Sequence, residues 1–188
     1  MKTILLNYYD DRRREVFELS YPNLKQFAAE NDYQHVIEYA PIYDRPFIQK
    51  QVFLRQYLEQ CDRLLYCDVD VMFRAGAKGD GLFVSAVNAA SDYGGFCAGF
   101  LALQSTDPVK KFIRLWDELG LMRFRRLGDQ DTFQMLVHNF NWINNLVRGI
   151  PQTEVSNLAS GVRGSIGHHF WCQNNFEDCP VRMKEFIP

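Results

Sequence analysis

The chain has 188 residues, 47% hydrophobic and 23% charged, which is ordinary for one soluble globular domain with a sizeable core. A formal net charge of −2 excludes a general electrostatic pull toward nucleic acid or an anionic membrane surface. Cys61, Cys67, Cys97, Cys172 and Cys179 make an odd count with no CxxC pair, which supports neither a zinc site nor a disulfide framework. Reduced thiols in a soluble, cytoplasmic protein are the expectation. The N-terminal apolar run is too short for a signal peptide, and no segment approaches membrane-spanning length.

In chain order, "KTILLN" (Lys2 to Asn7) predicts a buried first strand, and the polar "YYDDRRR" follows it. A helix is expected within Arg14 to Glu30, with Phe17, Leu24 and Ala28 on one face. Pro22 splits it in this reading, and Ser20 caps the second part. "QHVIEY" (Gln34 to Tyr39) predicts a second strand, Phe47 to Gln60 a helix, and Arg63 to Cys67 a strand. "RAGAKGDG" is a Gly-rich surface loop without the GK[ST] ending of a phosphate-cradling loop. "GGFCAGFLAL" (Gly94 to Leu103) predicts a strand whose glycines let another group approach its backbone. Asp107 caps a helix with Pro108 in its first turn, and Val109, Phe112, Ile113 and Trp116 face inward. "LGDQDTFQMLVHNF" opens a further helix, with Asp129 as its N-cap. The last forty residues carry the Gly-punctuated "SGVRGSIGHHFW". Strands alternating with helices argue for a single-domain α/β sandwich, residues 1–188, with a largely parallel sheet.

"LLYCDVDVMF" (Leu64 to Phe73) sets two aspartates inside an apolar run. Residues i and i+2 of an extended segment point the same way, so Asp68 and Asp70 present both carboxylates to one point. That point lies at the carboxyl end of a strand, where open α/β sheets bind ligands. Close, unpaired carboxylates among apolar residues repel and lose hydration. A divalent cation, Mn2+ or Mg2+, removes both penalties and would serve a phosphate-bearing ligand.

"CDRLLYCDVDVMF" resembles the segment around the D-x-D motif of GT-A fold glycosyltransferases. Further segments match the family in the same order: "KTILLNYYDDRRR" its first strand and nucleotide-contacting turn, "RPFIQKQVFLRQYLEQ" the helix before the motif. "GGFCAGFLAL" resembles the N-A-G or N-S-G strand of the sugar pocket, with Cys97 and Ala98 where polar residues are common. "GDQDTF" resembles the D-Q-x-x-F helix start, and "GHHF" the late H-F segment.

The resemblance implies a GT-A, Rossmann-like α/β/α sandwich with a mixed, mostly parallel sheet. It implies a metal held by Asp68, Asp70 and one of His168 and His169; His169, directly before an aromatic, is preferred. Neighbours in an extended segment face opposite ways, so only one histidine can bind. The implied nucleotide-facing residues are Asn7, Tyr8, Arg12, Arg14, Lys50, Asp68, Val69, Asp70 and Arg163. Asp131 is the candidate to act on the sugar, and Asp129 the second acidic candidate. The implied activity is a metal-dependent hexosyl- or deoxyhexosyltransferase. It moves sugar from a nucleotide-diphosphate donor, UDP-linked, to a glycan or other hydroxyl acceptor. No nucleic acid and no membrane span are expected. A haloacid-dehalogenase-like phosphatase, whose D-x-D strand "YCDVDV" also fits, and a non-catalytic nucleotide-sugar-binding module are the rival readings.

Overall fold

The first apolar run forms β1 (Thr3–Tyr9), followed by a short 3-10 turn at Asp11–Arg13 and then α1 (Arg14–Glu30). The chain continues through β2 (Gln34–Tyr39), α2 (Pro46–Leu58), β3 (Arg63–Cys67) and β4 (Val71–Phe73). Next come β5 (Val87–Asp92), β6 (Gly95–Gln104), α3 (Asp107–Arg123), α4 (Asp129–Asn139) and α5 (Asn141–Asn144). β7 (Val147–Ile150), β8 (Val155–Asn157), β9 (Gly167–His169) and α6 (Cys179–Phe186) complete it. The structure is a computed structural model, and it describes residues 1–40, 46–92, 95–123, 128–157, 164–170 and 179–186.

Six strands form one sheet in the order β2-β1-β3-β6-β5-β7. β6 runs antiparallel to both neighbours, while the other pairings are parallel. The sheet is therefore mixed and mostly parallel, with helices on both faces. Alternation along the strands assigns each side chain to a layer. Ile4, Leu6, Leu64 and Tyr66 pack with Leu54 of α2, Trp116 of α3 and Phe133 of α4. Leu5, Leu65 and Cys67 pack with Leu24 and Phe27 of α1. Burial on both faces explains why "TILL" and "RLLYC" read as continuous apolar runs.

Three expectations are corrected. Pro22 does not split α1, which runs unbroken from Arg14 to Glu30. Val16 and Ser20 before the proline and Leu24 and Phe27 after it bury the same face, which outweighs the lost backbone bond. The Ser20 hydroxyl donates to the Phe17 carbonyl within the helix (3.2 Å) and caps nothing. The strand leading to the aspartates spans Arg63–Cys67 as expected, while the apolar run resuming at Val71 belongs to a second sheet, β4-β9-β8. Finally, Cys179 is disulfide-bonded, contrary to five reduced thiols; Cys61, Cys67 and Cys97 are free.

β5 was not anticipated. Its alanines and Asn88 carry no hydrophobic alternation, yet Val87 to Ala90 are buried. Asn88 satisfies itself there by donating to the Ser85 carbonyl (2.8 Å) and accepting the Ser85 N–H (3.1 Å). Among the described residues, no helix is long and apolar enough to cross a membrane.

Candidate active site

Beyond Cys67 the backbone turns sharply. The Asp68 N–H donates to the Gly99 carbonyl of β6 (2.8 Å), and the Val71 N–H returns to the Asp68 carbonyl (3.1 Å). Asp68 to Asp70 thus form a turn rather than an extended segment, with the Val69 side chain buried beneath it against Met72 and Phe170. Val69 offers a ligand only its backbone.

β9 lies antiparallel to β4 with His169 opposite Val71, and the Phe170 N–H donates to the Asp70 carbonyl (2.9 Å). This pairing sets His169 Nε2 3.2 Å from Asp70 Oδ1. One ligand atom each from Asp68, Asp70 and His169 lies within 4.8 Å of the others. Two carboxylates and an imidazole suit manganese or magnesium in both hardness and charge. Gly99 makes the cluster possible. A Cβ there would lie 2.7 Å from Asp68 Oδ2 and 2.8 Å from His169 Cε1, so a side chain would fill the space both groups occupy. Burial alone would push the His169 imidazole down. The Asp70 carboxylate and Cys97 outweigh it and hold its pKa well above the ordinary 6.5.

His168 faces the other way. Its Nδ1 lies 2.6 Å from the Ser156 hydroxyl of β8, which also accepts the Gly164 N–H (2.9 Å).

Lys50 on α2 joins the metal corner to α4. Its ammonium is buried, 3.3 Å from Asp68 Oδ1 and 2.5 Å from Asp129 Oδ2, and it donates to the Ala98 carbonyl (3.1 Å). Burial disfavours the charge, but the two carboxylates prevail and raise the Lys50 pKa well above the usual lysine range. The Tyr66 hydroxyl also donates to Asp68 Oδ1. Lys50 therefore meets acids from two directions.

The acids of α4 divide differently from the sequence expectation. Gly128, not Asp129, is the N-cap. Asp131 is exposed and its Oδ2 accepts the Gly128 N–H (3.2 Å), the end-capping task assigned to Asp129. Asp129, at the first helical position, points inward to Lys50. Between them, Gln130 accepts the Ala98 N–H (2.7 Å) and donates to the Phe96 carbonyl, pinning the helix start to β6.

The N-terminal candidates disperse. Asn7 is buried; its amide donates to the Cys67 carbonyl (2.7 Å), and its Oδ1 lies 2.8 Å from His35 Nε2. Tyr8 is a core ring packed near Phe53 and Tyr66, its phenol pushed up by burial. Arg12 is exposed. Arg14 pairs with Asp11 (3.0 Å) and lies over the Tyr9 and Tyr39 rings, away from the aspartates. Arg163 lies outside the described residues. Arg13 is the residue of this run that faces inward. It pairs with Asp10 (3.5 Å), and although burial opposes its charge, Tyr8, Asp68 and Asp10 raise its pKa further. The sequence left open which of Arg12, Arg13 and Arg14 would reach a nucleotide, and it did not select Gly99, Cys97 or Gln130. Only the glycine had a signal, as a small residue in a central strand.

No family model matches the chain, and no curated protein matches it in sequence. Solved structures do match. A glycosyltransferase involved in glycosylation of the major capsid of PBCV-1 superposes with a TM-score of 0.77 at 10% identity, covering 98% of this chain and 100% of its own. The galactosyltransferase LgtC, solved with donor and acceptor sugar analogues, gives 0.57 at 13% identity, over 97% of this chain and 94% of its own. The apo glycosyltransferase GlyE of Streptococcus pneumoniae TIGR4 gives 0.57 at 15%, over 99% of this chain and 63% of its own. The chain has the GT-A type fold these glycosyltransferases share.

Proposed function

We propose that residues 1–188 form a divalent-metal-dependent glycosyltransferase domain. It moves a hexosyl or deoxyhexosyl group from a UDP-linked donor to a glycan or other hydroxyl acceptor. The observation that carries this reading is the convergence of Asp68, Asp70 and His169 at the carboxyl end of a central strand, in a fold shared with glycosyltransferases. A bound Mn2+ or Mg2+ would neutralise charge on the donor diphosphate as UDP leaves.

The chain's own groups supply the rest. Lys50 holds Asp68 and Asp129 in fixed positions with its ammonium between them. Arg13, the half-buried arginine of the turn after β1, is the candidate to meet the diphosphate. Asp129, buried against Lys50, is placed to orient the sugar or to act as base or nucleophile. Asp131 secures the helix that carries it.

Calorimetry of UDP with manganese, and again with EDTA, tests the metal requirement. Affinity should collapse in EDTA and in Asp70→Ala; equal affinity in all cases would sink the reading. UDP release from a UDP-sugar panel separates the transferase from a phosphatase or a non-catalytic binding module. Within that assay, Asp129→Asn should lower turnover at least roughly a hundredfold with near-normal UDP affinity. Asp131→Asn should lower the unfolding free energy by about 1 kcal/mol or less and keep turnover. The reverse outcome would return the sugar-facing role to Asp131.

A further inference from the structure

His169 has a protein group at each ring nitrogen. Nε2 lies 3.2 Å from Asp70 Oδ1, and Nδ1 lies 3.5 Å from the sulfur of Cys97. Cys97 sits on β6 two residues before Gly99, and its sulfur also accepts the Gly99 N–H at 3.3 Å. Cysteine and histidine are both nearly inaccessible, 8% and 5% exposed, so bulk water does not replace this contact.

A neutral imidazole carries one N–H. For Nε2 to offer its lone pair to a cation, that proton must stand on Nδ1. Nδ1–H then points at the Cys97 sulfur, an acceptor already anchored by the Gly99 amide. Metal-binding histidines almost always rest their second nitrogen on a carboxylate, a backbone carbonyl or water, and that partner fixes tautomer and ring angle. Here a thiol stands in the place.

We propose that Cys97 is a positioning residue. It holds His169 in the Nδ1–H tautomer with Nε2 aimed at Asp70 and at the cation the two would share. The inference rests on the metal-site reading above, and it accounts for the cysteine at a strand position where the resemblance to the N-A-G strand led to an asparagine. Sulfur accepts a hydrogen bond weakly. Its contribution is therefore directional: with Gly99 bare of a side chain, Cys97 holds the ring at the Nδ1 edge, and Nε2 faces Asp70 across the place the cation would take.

The test is manganese titration of the whole, donor-free protein, with free Mn2+ followed by electron paramagnetic resonance. Cys97→Ala should weaken manganese binding about 10- to 100-fold, the usual loss when a ligand's outer partner is removed. Cys97→Ser, which keeps an acceptor at that place, should recover most of it. A second readout needs no variant: long-range proton–nitrogen spectra of the magnesium-loaded protein should show the His169 proton on Nδ1. Wild-type affinity in Cys97→Ala would overturn the proposal while leaving the metal site intact. Absence of manganese binding in the wild type would overturn the metal reading and this inference together. Should Cys97→Ala fail to fold, the wild-type spectrum decides, and a proton on Nε2 would overturn the proposal.

Discussion

The carboxyl ends of β1 and β3 are adjacent, yet the chain uses charge at them in opposite ways. After β1 the ion pairs are local: Arg13 with Asp10 and Arg14 with Asp11, each three residues apart at the start of a helix. After β3 the acids meet Lys50 of α2 and His169 of β9, and Lys50 also reaches Asp129 of α4, all brought together only by the finished fold. Local pairs are common at any helix start, and a solvated one such as Arg14–Asp11 contributes little to stability. Buried charges gathered from distant elements lose hydration, and they persist when partners or a ligand compensate them. Spacing in the sequence marked a helix start; convergence in space marks the chemistry.

Lys50 is where this contrast breaks most severely. Lys50→Met leaves Asp68 and Asp129 facing each other without the buried ammonium between them. Removing one partner of a buried pair typically costs about 3–5 kcal/mol; the partial exposure of Asp68 points to the lower end. Denaturant unfolding measures this. Pairing Lys50→Met with Asp129→Leu should recover part of the loss, because it removes the most buried of the stranded charges. A Lys50→Met protein as stable as the wild type would mean the hub is solvated and the contrast between the two corners false.

The two arginines of the β1 corner sharpen the comparison at smaller scale. Arg13 is the one turned toward Asp68 and Tyr8, whereas Arg14 is committed to Asp11 and two tyrosine rings. Arg13→Gln should weaken UDP binding about tenfold, near the value of one charge-assisted contact. Arg14→Gln should leave it unchanged within error. Equal losses would show that the β1 corner acts only through its overall field.

These results track what was legible in the letters. A strand ending in two acids could be read from "RLLYCDVD" because burial and charge are local properties. That only one of His168 and His169 could face the acids also followed from strand alternation, and the structure points them apart. The division of labour between Asp129 and Asp131 was not legible. A one-residue shift of the helix start, from Asp129 to Gly128 as cap, exchanges which acid caps and which points inward. Nor were Lys50, Gly99 and Cys97 legible in their present roles. Each depends on what a neighbouring strand or helix brings against it, and nothing within a few residues of them encodes that neighbour. β5 was missed because small residues and a self-satisfied asparagine carry no hydrophobic period.

Between the two corners stands Asn7, and through it a pH-dependent prediction of modest size. Its amide nitrogen donates to the Cys67 carbonyl, so its Oδ1 is the acceptor that faces His35 Nε2. His35 must then carry its proton on Nε2, and the neutral ring already satisfies that bond. Burial, with Lys25 adding to it, pushes the His35 pKa down from 6.5 to about 4. The folded state thus resists protonation that the unfolded chain accepts. Stability from this group is fully present above about pH 6.5, falls as pH drops toward 4, and levels off below that. The ring is partly exposed, so the effect is smaller than the full shift would give. Unfolding midpoints at pH 7.5 and pH 5 should differ in the wild type, and the difference should shrink in His35→Gln, which keeps a donor for Asn7 but cannot titrate. An unchanged difference in His35→Gln would show that His35 does not carry the acid sensitivity; the Asp70–His169 pair cannot carry it either, because a raised histidine pKa stabilises the metal-free fold as pH falls.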